Sequence, residues 1–401
     1  MDKKTILGLV LIFAIVVGFS YLNRPSEEEV ARLEAQRDSI ARVQAQEEAQ
    51  RLAEEKARAA QDSAFRNPNM ATADTLFRTE GVVKEVQLGN DKLLINFSTR
   101  GAYPRSVQVR GFRTYYGDSL LLFKENTKNK LELQFLSQHS TIATSEQLFL
   151  CNETTTTIAQ KAGDTARIVF RLPSTQGDGY LEYSYALPYS SYALQWKVRF
   201  VNMDSQLAAT SRYLDLHWTM HSPQQEKGAK KELEYTTAAY YTTNGDYEEL
   251  SVSSDKDVEE KINTKISWLA YKEQFFSAIL RNEQAFEQTN VTVALANEDG
   301  YLRDYAATLM LPFTGGKNDA YELEFYYGPN LYKTLASYDH EYEKVVPLGG
   351  WLIGWVNKYV VINVFYWLSK YITNYGLIIL ILTILIKILI FPLTFKSYLS
   401  Q

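Results

Sequence analysis

Hydrophobic and polar positions divide this chain into segments of different character. An unbroken apolar run covers residues 6–19, and a second long apolar run covers residues 375–395. Between them, residues 23–74 are mostly polar and charged, whereas residues 75–344 alternate apolar with polar positions over short stretches. Runs of about 20 apolar residues are typical of membrane-spanning helices, and a period of two is typical of half-buried strands. The pattern therefore predicts two membrane spans that bracket a large β-rich domain.

The N-terminal apolar run, with its flanks, gives a predicted span over residues 5–22. Lys3 and Lys4 precede it, and a cleaved signal peptide would begin with a similar charged and apolar pattern. No small-residue A-x-A cleavage site follows, because residues 18–24 read GFSYLNR. We therefore favour an uncleaved anchor. The two lysines predict that residues 1–4 stay in the cytoplasm and that the chain after the span lies outside it.

Residues 23–74 form a predicted linker that is rich in Glu, Gln, Ala and Arg. Val30, Leu33, Ile40 and Val43 sketch two heptads, but charged side chains then occupy the seam, so a coiled coil is not predicted. We expect a mostly helical spacer, which as a full helix would reach about 1.5 Å per residue. Two interpretations stay open for it: a solvated tether, or a helix that binds a partner.

The central segment, residues 75–344, has the pattern of an antiparallel β-sandwich. Turn signals recur at short spacing, for example at residues 88–91 and 243–246, and the runs between them alternate, as in QWKVRF at residues 195–200. No helical periodicity of useful length interrupts this pattern. The length is enough for two extensive sheets with a core of their own. The acidic residues 250–261 predict a surface loop.

Composition narrows the classes of partner. The chain has 401 residues, and its net charge of −5 with a pI near 5.6 argues against a nucleic acid as a direct partner. Cys151 is the sole cysteine in the sequence, so an intrachain disulfide is impossible. A domain outside the cytoplasm must then rest on its hydrophobic core, which this length permits.

No catalytic or metal-binding pattern stands out in the β-rich segment. His217 and His221 would share one face of a strand, but no acid or cysteine sits at a recognisable ligand spacing, so no metal and no cofactor are predicted. The motifs of serine hydrolases, zinc proteases and P-loop enzymes are absent from the sequence. Cys151 is expected to be structural. We therefore predict no enzyme, while abundant aromatic residues leave a carbohydrate-binding surface open.

Residues 345–373 mix aromatic, aliphatic and polar side chains. Trp351, Trp355, Tyr359 and Trp367 are the predicted membrane-interface anchors, because Trp and Tyr favour the headgroup level. The segment is too polar for a comfortable span and too aromatic for a spacer. We predict an amphipathic helix that lies along the outer membrane surface. The competing interpretation places this segment in the core of the β domain.

The second predicted span covers residues 374–395, and Lys396 follows it as a cytoplasmic flank would. Lys387 lies deep in this span, where a lysine costs about 2.5–3.5 kcal/mol on insertion scales. Thr383 and Thr394 fall on the same side of the helix, and Pro392 frees a backbone carbonyl near the lysine. A polar face at this depth normally lines protein or a wet cavity. A lysine that merely reaches towards the headgroups is the alternative.

Four segments, together with the order of the parts, resemble YidC-type membrane protein insertases of Gram-negative bacteria. They are FSTRG at residues 97–101, WLAYKEQFF at residues 268–276, FYYGPN at residues 325–330 and TILIKILIFPLT at residues 383–394. The last is the most specific, since it is similar to the family pattern T-x-x-x-R-x-x-x-x-P-L-T. The resemblance covers essentially the whole chain.

The resemblance implies a fold, a function and partners. The β domain would be a supersandwich related to sugar mutarotase folds, in the periplasm of an inner-membrane protein. The function would be insertion of newly made membrane proteins through a hydrophilic groove, with the lipid bilayer, the Sec translocon and the ribosome as further partners. The family's basic groove residue maps to Lys387, where this chain has Lys in place of Arg. Lysine keeps the charge but loses the bidentate geometry of arginine.

A second departure concerns length. The family continues beyond the second span with a cytoplasmic hairpin and further spans, so residues 396–401 would begin a cytoplasmic loop. We therefore expect this chain to be part of a longer insertase. The alternatives are a membrane-anchored β-sandwich that binds or modifies carbohydrate, and a structural tether.

Overall fold

The computed structural model describes residues 76–77, 81–126, 128–138, 140–151, 156–252, 256–315, 317 and 319–399. Among these, the side chains of residues 351–352, 389–390 and 392–399 lie outside the description. The described residues all belong to one compact unit, Ala73–Gln401. The predicted cytoplasmic N-terminus, first span and linker, residues 1–74, fall outside the described residues.

The largest sheet of the described chain has nine antiparallel strands. Its strands in spatial order are β14 (Tyr247–Glu249), β13 (Thr237–Thr242), β16 (Ile266–Lys272), β17 (Phe276–Phe286), β20 (Ala320–Pro329), β11 (Ala193–Val201), β10 (Tyr180–Pro188), β9 (Thr165–Pro173) and β7 (Leu150–Cys151). Buried and exposed positions alternate in many of them, as the sequence pattern predicts; in β9 and β11 nearly every second residue is buried.

Two smaller sheets complete the β domain. The five-stranded sheet has the order β4 (Ser119–Phe123), β3 (Pro104–Arg113), β2 (Leu93–Ser98), β1 (Glu85–Gly89) and β8 (Thr156–Ile158). The six-stranded sheet has the order β15 (Val258–Ile262), β18 (Thr289–Leu295), β19 (Tyr301–Pro312), β12 (Tyr213–Pro223), β5 (Lys130–Leu136) and β6 (Thr141–Ala143). Neighbouring strands run antiparallel except β1 and β8, which pair in parallel.

The main core lies between the nine-stranded sheet and the two smaller ones. Trp218 on β12 stacks against Tyr271 on β16, with ring centroids 3.9 Å apart. Phe97 on β2 likewise meets Phe170 on β9 at 5.8 Å. Both smaller sheets therefore cover the same face of the large sheet, and such aromatic pairs add about 0.5–1.5 kcal/mol each beyond the area they bury. The prediction of a large antiparallel β-sandwich is confirmed.

The outer face of the nine-stranded sheet is also buried near its middle. On β16, Leu269 belongs to the main core, whereas Trp268 points to the other face and joins a second cluster. That cluster is closed by helix α2 (Tyr332–Ala336) and by a 3₁₀ turn (Tyr342–Val345), which lie across the sheet. Trp268 Nε1 donates a hydrogen bond to the His340 carbonyl at 2.9 Å. The last segment of the β domain, residues 332–345, is thus packed against the nine-stranded sheet before the C-terminal helices begin.

The remaining helices are short, except at the C-terminus. They are α1 (Ala229–Leu233), a 3₁₀ turn (Thr144–Glu146), α3 (Trp351–Val356), a π turn (Asn357–Val361), α4 (Ile362–Ser369) and α5 (Tyr375–Leu399). Of α5, the side chains of residues 375–388 and of Phe391 are described. When only the described residues are counted, none of these helices is long and apolar enough to cross a membrane.

Candidate functional site

The segment after the β domain forms one continuous helix, which we call the surface helix, residues 351–369. The backbone stays in the right-handed helical region where α3 meets the π turn and where the π turn meets α4. At about 1.5 Å per residue the surface helix is about 28 Å long. Single π turns inside α-helices change the angular position of everything that follows them, and they occur often at functional sites.

An aromatic ridge runs along the exposed side of the surface helix and continues into the turn after it. It consists of Trp355, Tyr359, Trp367 and Tyr371, each more than half exposed. The rings meet in pairs, with centroids 5.7 Å apart for Trp355–Tyr359 and 5.6 Å for Trp367–Tyr371. In a regular α-helix, residues four positions apart differ by about 40° in their angle around the helix axis. The π turn has more residues per turn, which reduces this difference along the ridge. Trp351 lies in α3, and its side chain is outside the described residues.

Other side chains of the surface helix contact the end of the β domain. The Lys333 ammonium on α2 lies 4.4 Å from the ring centroid of Tyr366, and the Lys358 ammonium lies 5.9 Å from that of Tyr332. A hydrogen bond with the Tyr332 hydroxyl raises the pKa of Lys358. These cation–aromatic contacts join the surface helix to α2, while its aromatic ridge stays exposed.

The surface helix and α5 form a helical hairpin. Leu368 packs with Ile378 and Leu382 in a small apolar cluster, and the rings of Phe365 and Tyr375 stack at 6.0 Å. Residues 370–374 make the connection between the two helices. One face of α5 therefore packs against the surface helix. This contact fixes which residues of α5 point towards the surface helix and which point away from it.

Lys387 and Thr383 lie on α5, away from that contact. At about 100° per residue, Lys387 is about 180° around the helix from Ile378 and about 140° from Leu382. Both polar residues are exposed, and the Thr383 hydroxyl donates to the Ile379 carbonyl at 2.8 Å. The polar face of α5 thus points away from the surface helix.

The other two predicted groove residues also belong to α5, but the positions of their side chains relative to Lys387 and Thr383 are not described. Pro392 and Thr394 belong to α5, but their side chains are outside the described residues. Whether the four residues share one face stays a prediction from the helical repeat.

Two histidines of the β domain, His217 and His221, have polar neighbours of their own. His217 Nδ1 lies 3.0 Å from the Thr308 hydroxyl, within hydrogen-bond range. His221 is fully buried, contacts the Asp304 carboxylate through Nδ1 and stacks on Tyr301 with centroids 3.7 Å apart. Among the described residues, no cluster of three or more His, Cys, Asp or Glu has the geometry to hold a metal.

The sequence patterns missed a pair of buried carboxylates near the end of β12. The Ser222 hydroxyl donates to Glu273 at 2.6 Å, and burial raises the pKa of Glu273 to about 8. Glu232 accepts hydrogen bonds from the backbone N–H groups of Gln225 and Glu226, each at 3.0 Å, and burial raises its pKa as well. Glu273 lies in the WLAYKEQFF segment, but neither glutamate belongs to a catalytic or metal-binding motif, so their burial is what reveals the pair.

Sequence comparisons with a family model and with known proteins point to the same family. A family model described as the YidC periplasmic domain matches residues 85–363. The membrane protein insertase YidC of Bacteroides fragilis is 34% identical over 416 residues, which take in 100% of this chain and 64% of the relative. The protein of the same name from Parabacteroides distasonis is 32% identical over 418 residues, with the same coverage. The chain thus spans about 64% of the length of these relatives.

Comparison of structures gives weaker similarities. A galactose mutarotase related enzyme from Lactobacillus acidophilus matches with a TM-score of 0.38 and 10% identity, covering 61% of this chain and 97% of that one. An alpha-N-acetylgalactosaminidase from Bifidobacterium bifidum, in complex with GalNAc, matches with a TM-score of 0.39 and 11% identity, covering 66% of this chain and 39% of that one.

Proposed function

The chain belongs to the YidC family of membrane protein insertases, and we propose that the whole protein assists the insertion and folding of integral inner-membrane proteins. The observation that carries the proposal is the similarity to relatives named as insertases, which extends over 100% of this chain. The substrates would be nascent or newly made membrane proteins. The Sec translocon and the ribosome are further candidate partners, and no catalytic reaction is required.

The proposed topology follows from the family and from the charge pattern. The family's periplasmic domain indicates an inner-membrane protein. Residues 5–22 and 374–395 would span the membrane, with Lys3 and Lys4 in the cytoplasm and the β domain in the periplasm. The surface helix would lie along the outer headgroup region. The exposed aromatic ridge supports this placement, because Trp and Tyr combine an apolar body with a polar edge that stays wet.

The polar face of α5 is the proposed start of the hydrophilic groove. Lys387 and Thr383 point away from the surface helix, so the rest of the longer protein can pack around them. A polar segment of a client loses less hydration in a wet groove than in lipid. The Lys387 charge would attract acidic client residues more strongly there than in bulk water, because the surroundings have a low dielectric constant. Apolar client segments would then move sideways into the bilayer.

The experiment is client insertion by the full-length protein in proteoliposomes, with variants at Lys387. Lys387→Arg should keep activity, since it keeps the charge. Lys387→Ala should reduce insertion of clients whose translocated segments carry Asp or Glu, and reduce that of neutral clients less. Lys387→Glu should be the most defective with acidic clients, because attraction becomes repulsion at a poorly screened site.

The control for this series is Lys370→Ala, which removes a lysine in the turn before α5. It should insert both classes of client as the parent does. If Lys387→Ala and Lys387→Glu, present at normal levels, insert acidic clients as well as the parent, Lys387 is only a lysine that reaches to the headgroups. The groove would then lose its main residue.

A further inference from the structure

The exposed aromatic side chains of the β domain are concentrated in three loops. Within the described part of residues 81–345 they are Tyr115 (55% exposed), Tyr116 (66%), Tyr235 (40%) and Phe275 (51%). Tyr115 and Tyr116 sit at the tip of the β3–β4 hairpin, Tyr235 follows α1, and Phe275 lies in the turn between β16 and β17. Single exposed apolar residues are normal on a protein surface, so the position of these loops relative to one another decides whether they form a patch.

Strand pairing and loop contacts place these three loops at one end of the sandwich. Thr237, which begins β13 just after Tyr235, is paired with Lys272 at the end of β16. The β3–β4 hairpin reaches the same place, because the rings of Phe112 and Phe276 meet at 5.1 Å. We call this region the aromatic end; it comprises residues 114–118, 224–236, 273–275 and 330–333.

The opposite end of the sheet offers a natural reference. β20 ends at the aromatic end, where Pro329 is paired with Phe276. β11 pairs with β20, β10 pairs with β11, and β9 pairs with β10, each antiparallel. The β9–β10 turn, residues 174–179, therefore closes at the far end. Asp178 in that turn is exposed. It therefore serves as a matched position on the same sheet, one strand length away.

The aromatic end is continuous with the surface helix. The Asn330 N–H donates to the Phe275 carbonyl at 2.7 Å, and the next residue, Leu331, is 45% exposed. Tyr332 and Lys333 then make the two cation–aromatic contacts with the surface helix described above. The exposed loops of the β domain thus lie next to the part of α2 that contacts the surface helix.

We propose that the aromatic end of the β domain docks on the outer surface of the bilayer. Tyr115, Tyr116, Tyr235 and Phe275 would enter the headgroup region, where amphipathic aromatic rings are most favourable. The proposal rests on the proposed placement of the surface helix along the membrane. Docking holds the β domain against the bilayer beside α5, instead of leaving it free to swing above the membrane.

Aromatic burial, and not charge, is the driving force of this docking. Lys227, Lys230 and Lys231 are exposed at the aromatic end, but Glu226 and Glu234 lie among them. Lys231 also forms an ion pair with Glu234. Because the charges nearly cancel, anionic lipid should add little to the docking. The contact should survive salt at about 1 M, where the screening length falls to about 3 Å.

The test uses the full-length protein in phospholipid vesicles, with its other cysteines replaced, including Cys151→Ser. Single cysteines are introduced by Tyr116→Cys, Phe275→Cys, Asp178→Cys or Trp367→Cys and carry an environment-sensitive fluorophore. A quencher attached to the lipid headgroups reports proximity to the bilayer. Quenching at Tyr116 and Phe275 should approach that at Trp367 and be several-fold greater than at Asp178. It should be the same in phosphatidylcholine vesicles, in vesicles with phosphatidylglycerol, and at high salt.

The outcomes separate this inference from the function on which it rests. If the label at Trp367 is quenched while the labels at Tyr116 and Phe275 behave like the label at Asp178, the docking is overturned and the surface helix keeps its place. If the label at Trp367 is not quenched, the proposed membrane position of the helix fails as well. Quenching that vanishes at high salt would overturn the aromatic mechanism. As a second variant, Tyr115→Ser with Tyr116→Ser should lower quenching at Phe275 without changing it at Asp178.

Discussion

Glu273→Gln should remove most of the pH dependence of the stability of the β domain. The Glu273 carboxyl is only 2% exposed, and one of its oxygens accepts a hydrogen bond from Ser222 at 2.6 Å. The other oxygen has no hydrogen-bond partner among the described residues. Burial, with a smaller contribution from Glu232, raises the pKa of Glu273 to about 8. In the folded protein the carboxyl therefore stays protonated through most of the neutral range, and glutamine reproduces that state.

The size of the effect follows from the difference in pKa between the two states. An unfolded chain releases this proton near pH 4.5, whereas the folded protein holds it until about pH 8. Each unit of pKa difference is worth about 1.4 kcal/mol, so the upper bound is about 5 kcal/mol. Because the folded state binds the extra proton, the free energy of unfolding falls as the pH rises between these two values. Glu232 changes stability in the same direction, so the variant keeps a smaller slope.

The assay is urea unfolding of the protein in mild detergent, followed by tryptophan fluorescence, at a series of pH values from about 5 to about 9. The parent should lose several kcal/mol over this range, and Glu273→Gln should lose much less. Glu259→Gln, at an exposed glutamate on β15, is the matched control and should follow the parent. Equal slopes for the parent and Glu273→Gln would refute the argument from burial.

Two further predictions concern the packing of residues 332–346 on the nine-stranded sheet and the membrane topology. Trp268→Ala should lower the free energy of unfolding by about 3–5 kcal/mol, because it empties a buried site. It should also speed proteolysis within residues 332–346, measured on the native protein, and an unchanged cleavage rate would contradict the role of this packing. In intact cells whose outer membrane has been permeabilised, an impermeant thiol reagent should label Asp178→Cys and spare Lys396→Cys. The reverse pattern would reject the proposed topology.

The sequence predicted the sandwich because strand alternation is a local property. It could not predict how the strands combine, since pairs such as β1 with β8 join residues far apart in the chain. The acidic segment 250–261 shows another limit. We expected a surface loop there, but residues from Val258 onwards form β15. β15 is an edge strand of the six-stranded sheet, and Glu260 lies on the same, less exposed face as Val258 and Ile262, so a charge interrupts the alternation.

Some parts of the candidate site could be predicted from the sequence, and others could not. Aromatic composition indicated the surface helix, but no sequence signal predicts the π turn, or that the loops of the aromatic end lie together. The buried pair Glu273 and Glu232 depends on contacts between distant strands, which a charged residue in a sequence does not reveal. Lys387 stands out in the sequence because it interrupts a long apolar run, and a charge in a run that spans the bilayer is costly. Its direction relative to the surface helix required the packing of Ile378 and Leu382.

Depletion of the protein from its native cell tests the central claim most directly. Newly made inner-membrane proteins are pulse-labelled, and the insertion of each is followed by protease protection. Clients with acidic translocated segments should fail to insert soon after depletion, before export of soluble proteins declines. The parent gene and its Lys387→Arg variant should restore insertion, and the Lys387→Glu variant should not. Normal insertion of all inner-membrane proteins after complete depletion would contradict the assignment as an insertase.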